Sequence, residues 1–235
     1  MIDTSQTLIK YPNYKSLDDY IDVRKLKSLD SYITARIVKR LSGNTDLKFY
    51  TGPFRLKDDA PDRPGSRMIY LAQSTEPDSY FDLDQTDLWR PTPETAEFAL
   101  LMDFISTLPF KATARMLIMY DEVGRPVPAH RDHSDINICH EFIWFRTNLN
   151  KPFYVLNPET NEKRYVESYC AWFDTVNQFH GSDAAAGLSF SIRVDGIFSD
   201  DFRKVIPFCA TNRAATSALW SSLDSKSKVS LGSLR

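Results

Sequence analysis

From Ser16 to Leu41 apolar residues recur at helical spacing: Leu17, Tyr20, Ile21, Leu26, Leu29, Ile33, Ile37 and Leu41. Positions three and four apart share one helix face, so this run predicts one long helix or two short ones, with Gly43 as the stop. A further helix is predicted behind a capping Thr92, with Pro93 in its first position, Glu94 and Glu97 in its opening turn, and Phe98, Leu101, Met102 and Ile105 on its buried face. Between the two, Met68-Ile69-Tyr70-Leu71 reads as a strand. The stretch Lys57-Asp58-Asp59-Ala60-Pro61-Asp62-Arg63-Pro64-Gly65-Ser66 breaks regular structure with prolines, a glycine and mixed charge. It reads as a surface loop in preference to an active-site lid.

From Lys111 onward the pattern changes to short β-rich segments separated by turn residues. The predicted strands are Ala114 to Tyr120, Val127 to Asp132, Ile138 to Thr147, Phe153 to Leu156, Arg164 to Val166, Tyr169 to Asp174 and Phe190 to Ile197. Asn157-Pro158-Glu159-Thr160-Asn161 is a hairpin turn between two of them. This many short strands predict a mainly β protein with flanking helices: a jelly roll, cupin-like, with the N-terminal helices packed on the outside of one sheet. The expected organisation is one structural domain, in which residues 1–110 form a helical and mixed segment, 111–213 the β core and 214–235 a Ser-rich tail that is partly disordered.

Composition narrows the class. A chain of 235 residues with 42% hydrophobic positions can bury one sizeable core. A net charge of −2 and the lack of any Lys/Arg run argue against nucleic acid and against a membrane surface. No apolar run is long enough to span a bilayer, and Met1 to Thr7 lacks a basic region followed by an apolar stretch, so a cytoplasmic protein is expected. Cys139, Cys170 and Cys209 are odd in number and lack Cys-x-x-Cys spacing, which predicts buried thiols, not disulfides or a zinc site.

The chemistry concentrates in one stretch. All 4 histidines lie between His130 and His180, and the first opens Pro128-Ala129-His130-Arg131-Asp132. Alternate side chains of a strand share a face, so His130 and Asp132 can meet one metal while Arg131 points away. With His180, in Trp172-Phe173-Asp174-Thr175-Val176-Asn177-Gln178-Phe179-His180-Gly181, they make two imidazoles and one carboxylate. That set suits Fe(II), because three coordination positions stay open. His133, three residues after His130, falls on the wrong face.

The segment from Arg115 to Gly196 resembles the double-stranded β-helix core of Fe(II)- and 2-oxoglutarate-dependent dioxygenases. Within that superfamily it is most similar to the aspartyl/asparaginyl β-hydroxylase branch. The resemblance is carried by Met116 to Gly124, by Pro128-Ala129-His130-Arg131-Asp132, by Trp172-Phe173-Asp174 leading to His180, and by Phe190-Ser191-Ile192-Arg193-Val194-Asp195. It implies that His130, Asp132 and His180 bind Fe(II), and that 2-oxoglutarate chelates the metal and is decarboxylated with O2. Arg193, on the strand after His180, would grip the far carboxylate of the co-substrate, since a guanidinium fork matches a carboxylate bidentately. Ser191 shares its face and would add a hydrogen bond.

His140 stands where the family often has a basic residue touching the co-substrate's C1 carboxylate. Three roles stay open for it: that contact, a hydrogen-bond partner behind the ligands, or a core histidine. Gly181 to Gly187 reads as an inserted turn that lengthens the spacing from His180 to Arg193. Phe142, Trp144 and Trp172 are read as core more than pocket lining, and Arg125, Arg131, Arg146 and Arg164 mostly as solvated surface charge.

Because Asp132 occupies the position that related halogenases leave without a carboxylate, the implied reaction is hydroxylation of an unactivated C–H bond, with release of succinate and CO2. The implied substrate is an amino-acid side chain, free, peptidyl or in a natural product. Two competing classes fit the same residues: a cupin-like metalloprotein with a non-oxygenase activity, and a jelly-roll binding module.

Overall fold

The computed structural model describes residues 14–42, 67–76, 82–132, 140–157, 160–175 and 178–206. In chain order these form β1 (Lys15–Ser16), α1 (Val23–Ser28), α2 (Asp30–Ser42), β2 (Arg67–Ser74), β3 (Trp89–Pro91), α3 (Ala99–Ile105), β4 (Phe110–Asp121), β5 (Val127–His130), β6 (Phe142–Phe145), β7 (Phe153–Asn157), β8 (Glu162–Tyr165), β9 (Cys170–Trp172), β10 (Phe179–Ser182), β11 (Ser189–Phe198) and α4 (Asp200–Arg203). The strands make a seven-stranded sheet in the order β1-β9-β6-β11-β4-β2-β3 and a four-stranded sheet in the order β5-β10-β7-β8. Every pairing is antiparallel. No helix among the described residues is long and apolar enough to cross a membrane.

The long N-terminal periodicity resolves into two helices. Asp22 caps α1 by accepting from the Lys25 N–H at 3.0 Å, and α1 ends at Leu29, where α2 begins almost at once. Leu26, Leu29, Ile33 and Ile37 are all buried on the face the spacing predicted. Ser16 lies in β1 instead, paired with Ala171. Thr92 departs from expectation: its side chain does not cap the following 3-10 turn at Pro93–Ala96 but donates to the Tyr70 carbonyl, tying that turn to β2.

The large sheet separates two environments. Ile192 and Val194 of β11 lie opposite Ile118 and Met116 of β4 and opposite Phe145 and Ile143 of β6. Directly opposed residues share a sheet face, so these six form one apolar surface, and Phe145 meets Phe104 of α3 edge to face with ring centroids 5.5 Å apart. The alternate residues, Arg193 and Asp195, sit beside Trp144 and Phe142 on the opposite face. Trp144 stacks there on Phe153 of the small sheet at 4.6 Å. Both faces are therefore covered, which explains why β6 and the run from Ile192 to Gly196 are buried at every position. At the far edge of the small sheet, β8 is exposed along its length.

The predicted hairpin joins β7 to β8, with Asn157 opposite Glu162 and Asn161 at φ 57°. Three strands differ from the expectation: β1 and β3 are short edge additions, and Phe179–Ser182 is β10, paired on both sides, where Gly181 to Gly187 suggests a turn. A glycine and the lack of any β-branched residue hide β10, and pairing on both edges supplies what propensity lacks. Cys170 is buried and reduced, and burial pushes its thiol pKa upward. Cys139, Cys209, His133, Gly43, the loop 57–66 and the tail 214–235 lie outside the described residues.

At Gly196 the backbone of β4 comes close to β11: a Cβ there would stand 2.3 Å from the Ala112 carbonyl oxygen. Gly196→Ala is expected to destabilise the protein by about 1–3 kcal/mol through overpacking, measured as a lowered denaturation midpoint. An unchanged midpoint would mean that β4 steps aside at no cost.

Candidate metal centre

Strand register brings the two histidines together. In the β5/β10 pair His180 lies directly opposite His130, and their ring centroids are 4.5 Å apart. Asp132 follows two residues after His130, just past the end of β5, where its N–H donates to the Thr175 carbonyl at 2.9 Å. This bond turns the carboxylate back toward the imidazoles. One ligand atom from each of His130, Asp132 and His180 lies within 4.8 Å of the others. Oδ1 of Asp132 is 3.2 Å from His180 Nε2 and 3.7 Å from His130 Nε2.

The backbone selects the tautomers. Nδ1 of His130 lies 2.9 Å from the Pro128 carbonyl, and Nδ1 of His180 lies 3.1 Å from the Gln178 carbonyl. A carbonyl only accepts, so each Nδ1 carries a proton, and each Nε2 is the nitrogen that faces Asp132 Oδ1. His130 is held below its ordinary pKa, first by desolvation and then by the neighbouring His180. Burial pushes Asp132 the other way, but the Arg193 guanidinium, then His180, outweigh it and keep the carboxyl well below its usual range. The three groups thus present two imidazole nitrogens and one carboxylate oxygen, a donor set that fits a divalent iron or a similar ion.

Behind the triad lies a buried chain of charge. Arg193 donates from Nη1 to Asp132 Oδ2 at 2.5 Å and from Nε to Asp195 Oδ1 at 2.9 Å. Asp195, fully buried, accepts on Oδ2 from Arg115 Nε at 3.0 Å. Nη2 of Arg193 is 3.2 Å from His140 Nδ1. Guanidinium nitrogens only donate, so Nδ1 of His140 accepts and its proton sits on Nε2. Burial, then Arg193, pushes the His140 pKa down to about 3, so the ring is neutral. Of the three roles open to His140, the one visible in the structure is a hydrogen-bond partner behind the ligands. Ser191 lies half-buried, two positions before Arg193 on the same face.

Aromatic side chains close the inner side. Phe173 and Phe153 stand 5.3 and 6.1 Å from the His180 ring, and Phe142 lies 4.1 Å beneath the Arg193 guanidinium. Phe142, Trp144 and Trp172 are all buried in the core, and Trp172 Nε1 donates to the His140 carbonyl at 3.1 Å. Arg146 is not a surface charge. It is 5% exposed and donates to the carbonyls of Lys151, Val166 and Ser168, stapling a loop. The sequence reading passed over Asp195 and Arg115. Asp195 was legible in principle, as an acid two positions from Arg193 in an otherwise apolar strand.

No protein-family model matches the chain, and no curated protein does. Among solved structures the chain is similar to a prolyl-4-hydroxylase from Pseudomonas putida, at 9% identity and a TM-score of 0.41, over 80% of this chain and 92% of that one. It is also similar to the viral collagen prolyl hydroxylase of Paramecium bursaria Chlorella virus-1 in its 2-oxoglutarate complex, at 11% identity and a TM-score of 0.35, over 78% and 96% of the two chains. A third is HygX from Streptomyces hygroscopicus with nickel and 2-oxoglutarate bound, at 10% identity and a TM-score of 0.33, over 74% and 78%. None of the three is named as an aspartyl/asparaginyl hydroxylase. Likeness at this level does not establish a family, and the reading of the site stands on its own geometry.

Ni(II), as an air-stable probe, is expected to raise the denaturation midpoint, by about 2.7 kcal/mol of stabilisation at 100 times its dissociation constant. His130 has a side chain 47% exposed, so His130→Ala should fold with a near-normal midpoint and lose the Ni(II)-dependent increase. An undiminished increase in that variant would remove His130 from the ligand set.

Proposed function

We propose that this protein is an Fe(II)- and 2-oxoglutarate-dependent dioxygenase that hydroxylates an unactivated C–H bond, with an amino-acid side chain, free, peptidyl or in a natural product, as substrate. The observation that carries the reading is the convergence of His130 Nε2, His180 Nε2 and Asp132 Oδ1, with both Nδ1 atoms committed to backbone carbonyls. In this reading the two sheets form a double-stranded β-helix, residues 111–213 are the catalytic core, and residues 1–110 are a helical and mixed segment that packs on it and extends the large sheet with β1, β2 and β3.

His130, Asp132 and His180 would hold the iron, leaving open positions for 2-oxoglutarate and O2. Bound there, the metal and its co-substrate supply oxidation of the C–H bond, with release of succinate and CO2. The chain's own residues prepare the site. Asp132 is kept ionised by Arg193, the imidazoles are kept in one tautomer, and Phe153 and Phe173 keep water from the inner side of His180. Arg193 is the cation assigned to the co-substrate's distal carboxylate, with Ser191 beside it and neutral His140 fixing the guanidinium from behind.

A second reading is favoured by one observation: Arg193 is already paired with Asp132 and Asp195. A cupin-like metalloenzyme that uses no 2-oxoglutarate would need no further cation there.

Anaerobic titration with Fe(II) and then 2-oxoglutarate separates the two readings. The oxygenase reading expects a visible charge-transfer band that His180→Ala abolishes and that Arg193→Ala forms only at much higher 2-oxoglutarate concentration. Bound iron without such a band would favour the second reading. Asp132→Gly is expected to lose hydroxylation by at least 100-fold, on the order of the loss for a group that acts as a unit with its neighbours. Full retained activity would remove Asp132 from the ligand set.

A further inference from the structure

We infer that Asp195 is a positioning residue for the metal centre: through Arg193 it determines which oxygen of Asp132 faces the two histidines. The inference rests on the metal reading of the triad. A carboxylate at the end of a strand can rotate to present either oxygen, or both, to a metal. Here Oδ2 is held by Arg193 Nη1, and Oδ1 is the oxygen that stands 3.2 Å from His180 Nε2 and 3.7 Å from His130 Nε2.

Arg193 can hold that oxygen in place only if it is itself fixed. Asp195 Oδ1 takes both Nε, at 2.9 Å, and Nη2, at 2.8 Å. Phe142 lies under the guanidinium plane at 4.1 Å, and Arg115 anchors the other oxygen of Asp195 at 3.0 Å. Half-buried Asp132 and buried Arg193, Asp195 and Arg115 thus alternate in sign along one line.

A fully buried carboxylate in an apolar strand is costly, and a well-packed apolar residue would serve the sheet as well or better. What Asp195 supplies that an apolar residue cannot is a fixed guanidinium. The consequence for the site is a one-oxygen carboxylate ligand, which leaves coordination positions open. The consequence for Arg193 is that its effect on the site does not depend on the co-substrate.

The test is a Mn(II) titration of the full chain without 2-oxoglutarate, following free Mn(II) by its electron paramagnetic resonance signal. Asp195→Asn and Arg193→Met are each expected to weaken Mn(II) binding roughly 10- to 100-fold, the usual effect of a hydrogen-bond partner behind a metal ligand, while far-ultraviolet circular dichroism stays at that of the wild type. Mn(II) affinity within twofold of wild type in folded Asp195→Asn or Arg193→Met would overturn the inference. Should the single variants not fold, the double variant Asp195→Asn/Arg115→Gln removes one buried charge of each sign and retains Arg193. The same weakening is expected there, and unchanged affinity would overturn the inference. Wild-type protein that binds no Mn(II), or binds it equally well as His180→Ala, would overturn the metal reading itself and the inference with it.

Discussion

Strand β11 carries two surfaces that cannot mix. Ile192 and Val194 belong to an apolar layer under α3, while Arg193 and Asp195, at the alternate positions, form a buried ion-pair chain on the other side. The two-residue period of a strand makes this separation possible, and pairing on both edges makes it rigid. A register slip of one residue would exchange the surfaces, placing two charges among Ile118, Ile143 and Phe145. The fold and the site therefore depend on one alignment, and the large cost of the exchanged arrangement protects it.

The same alignment determines what the triad can do. β10 is the strand that puts His180 opposite His130, and its other edge is held by β7, whose Phe153 stacks on Trp144 of the large sheet. The imidazoles thus stand on a framework tied to both sheets and not on a loop. Asp132 is the member of the triad less constrained by backbone, since it lies past the end of β5. It is compensated by a side-chain restraint from Arg193. Backbone carbonyls orient the nitrogens, and a buried guanidinium orients the oxygen.

Electrostatics in this region follow from burial and pairing together. Burial alone would protonate Asp132 and Asp195. The arginines outweigh it, and both carboxyls are held below their ordinary pKa. His140, beside the same arginine, goes the opposite way to the role of a cation: it is neutral and accepts a hydrogen bond. Burial first, and the same guanidinium second, keep that ring neutral.

Local pattern was enough to place many of the elements. Residues spaced three and four apart gave the buried face of α1 and α2, alternation gave most strands within a few residues, and the His-x-Asp pair with a distal histidine named the three groups that the fold brings within 4.8 Å. These are properties that neighbouring residues encode among themselves. β10 was not legible, because its pairing partners supply its stability. Thr92 looks like a cap along the chain, because nothing in its neighbours shows that the Tyr70 carbonyl competes for its hydroxyl. Above all, whether Arg193 faces an open pocket or a carboxylate depends on Asp132, 61 residues away in the chain. Chain sequence by itself determined which residues carry the candidate metal-binding groups and which faces are apolar. Only the tertiary structure decided the pairings among buried charges, because a buried charge takes whichever partner the packing brings within reach.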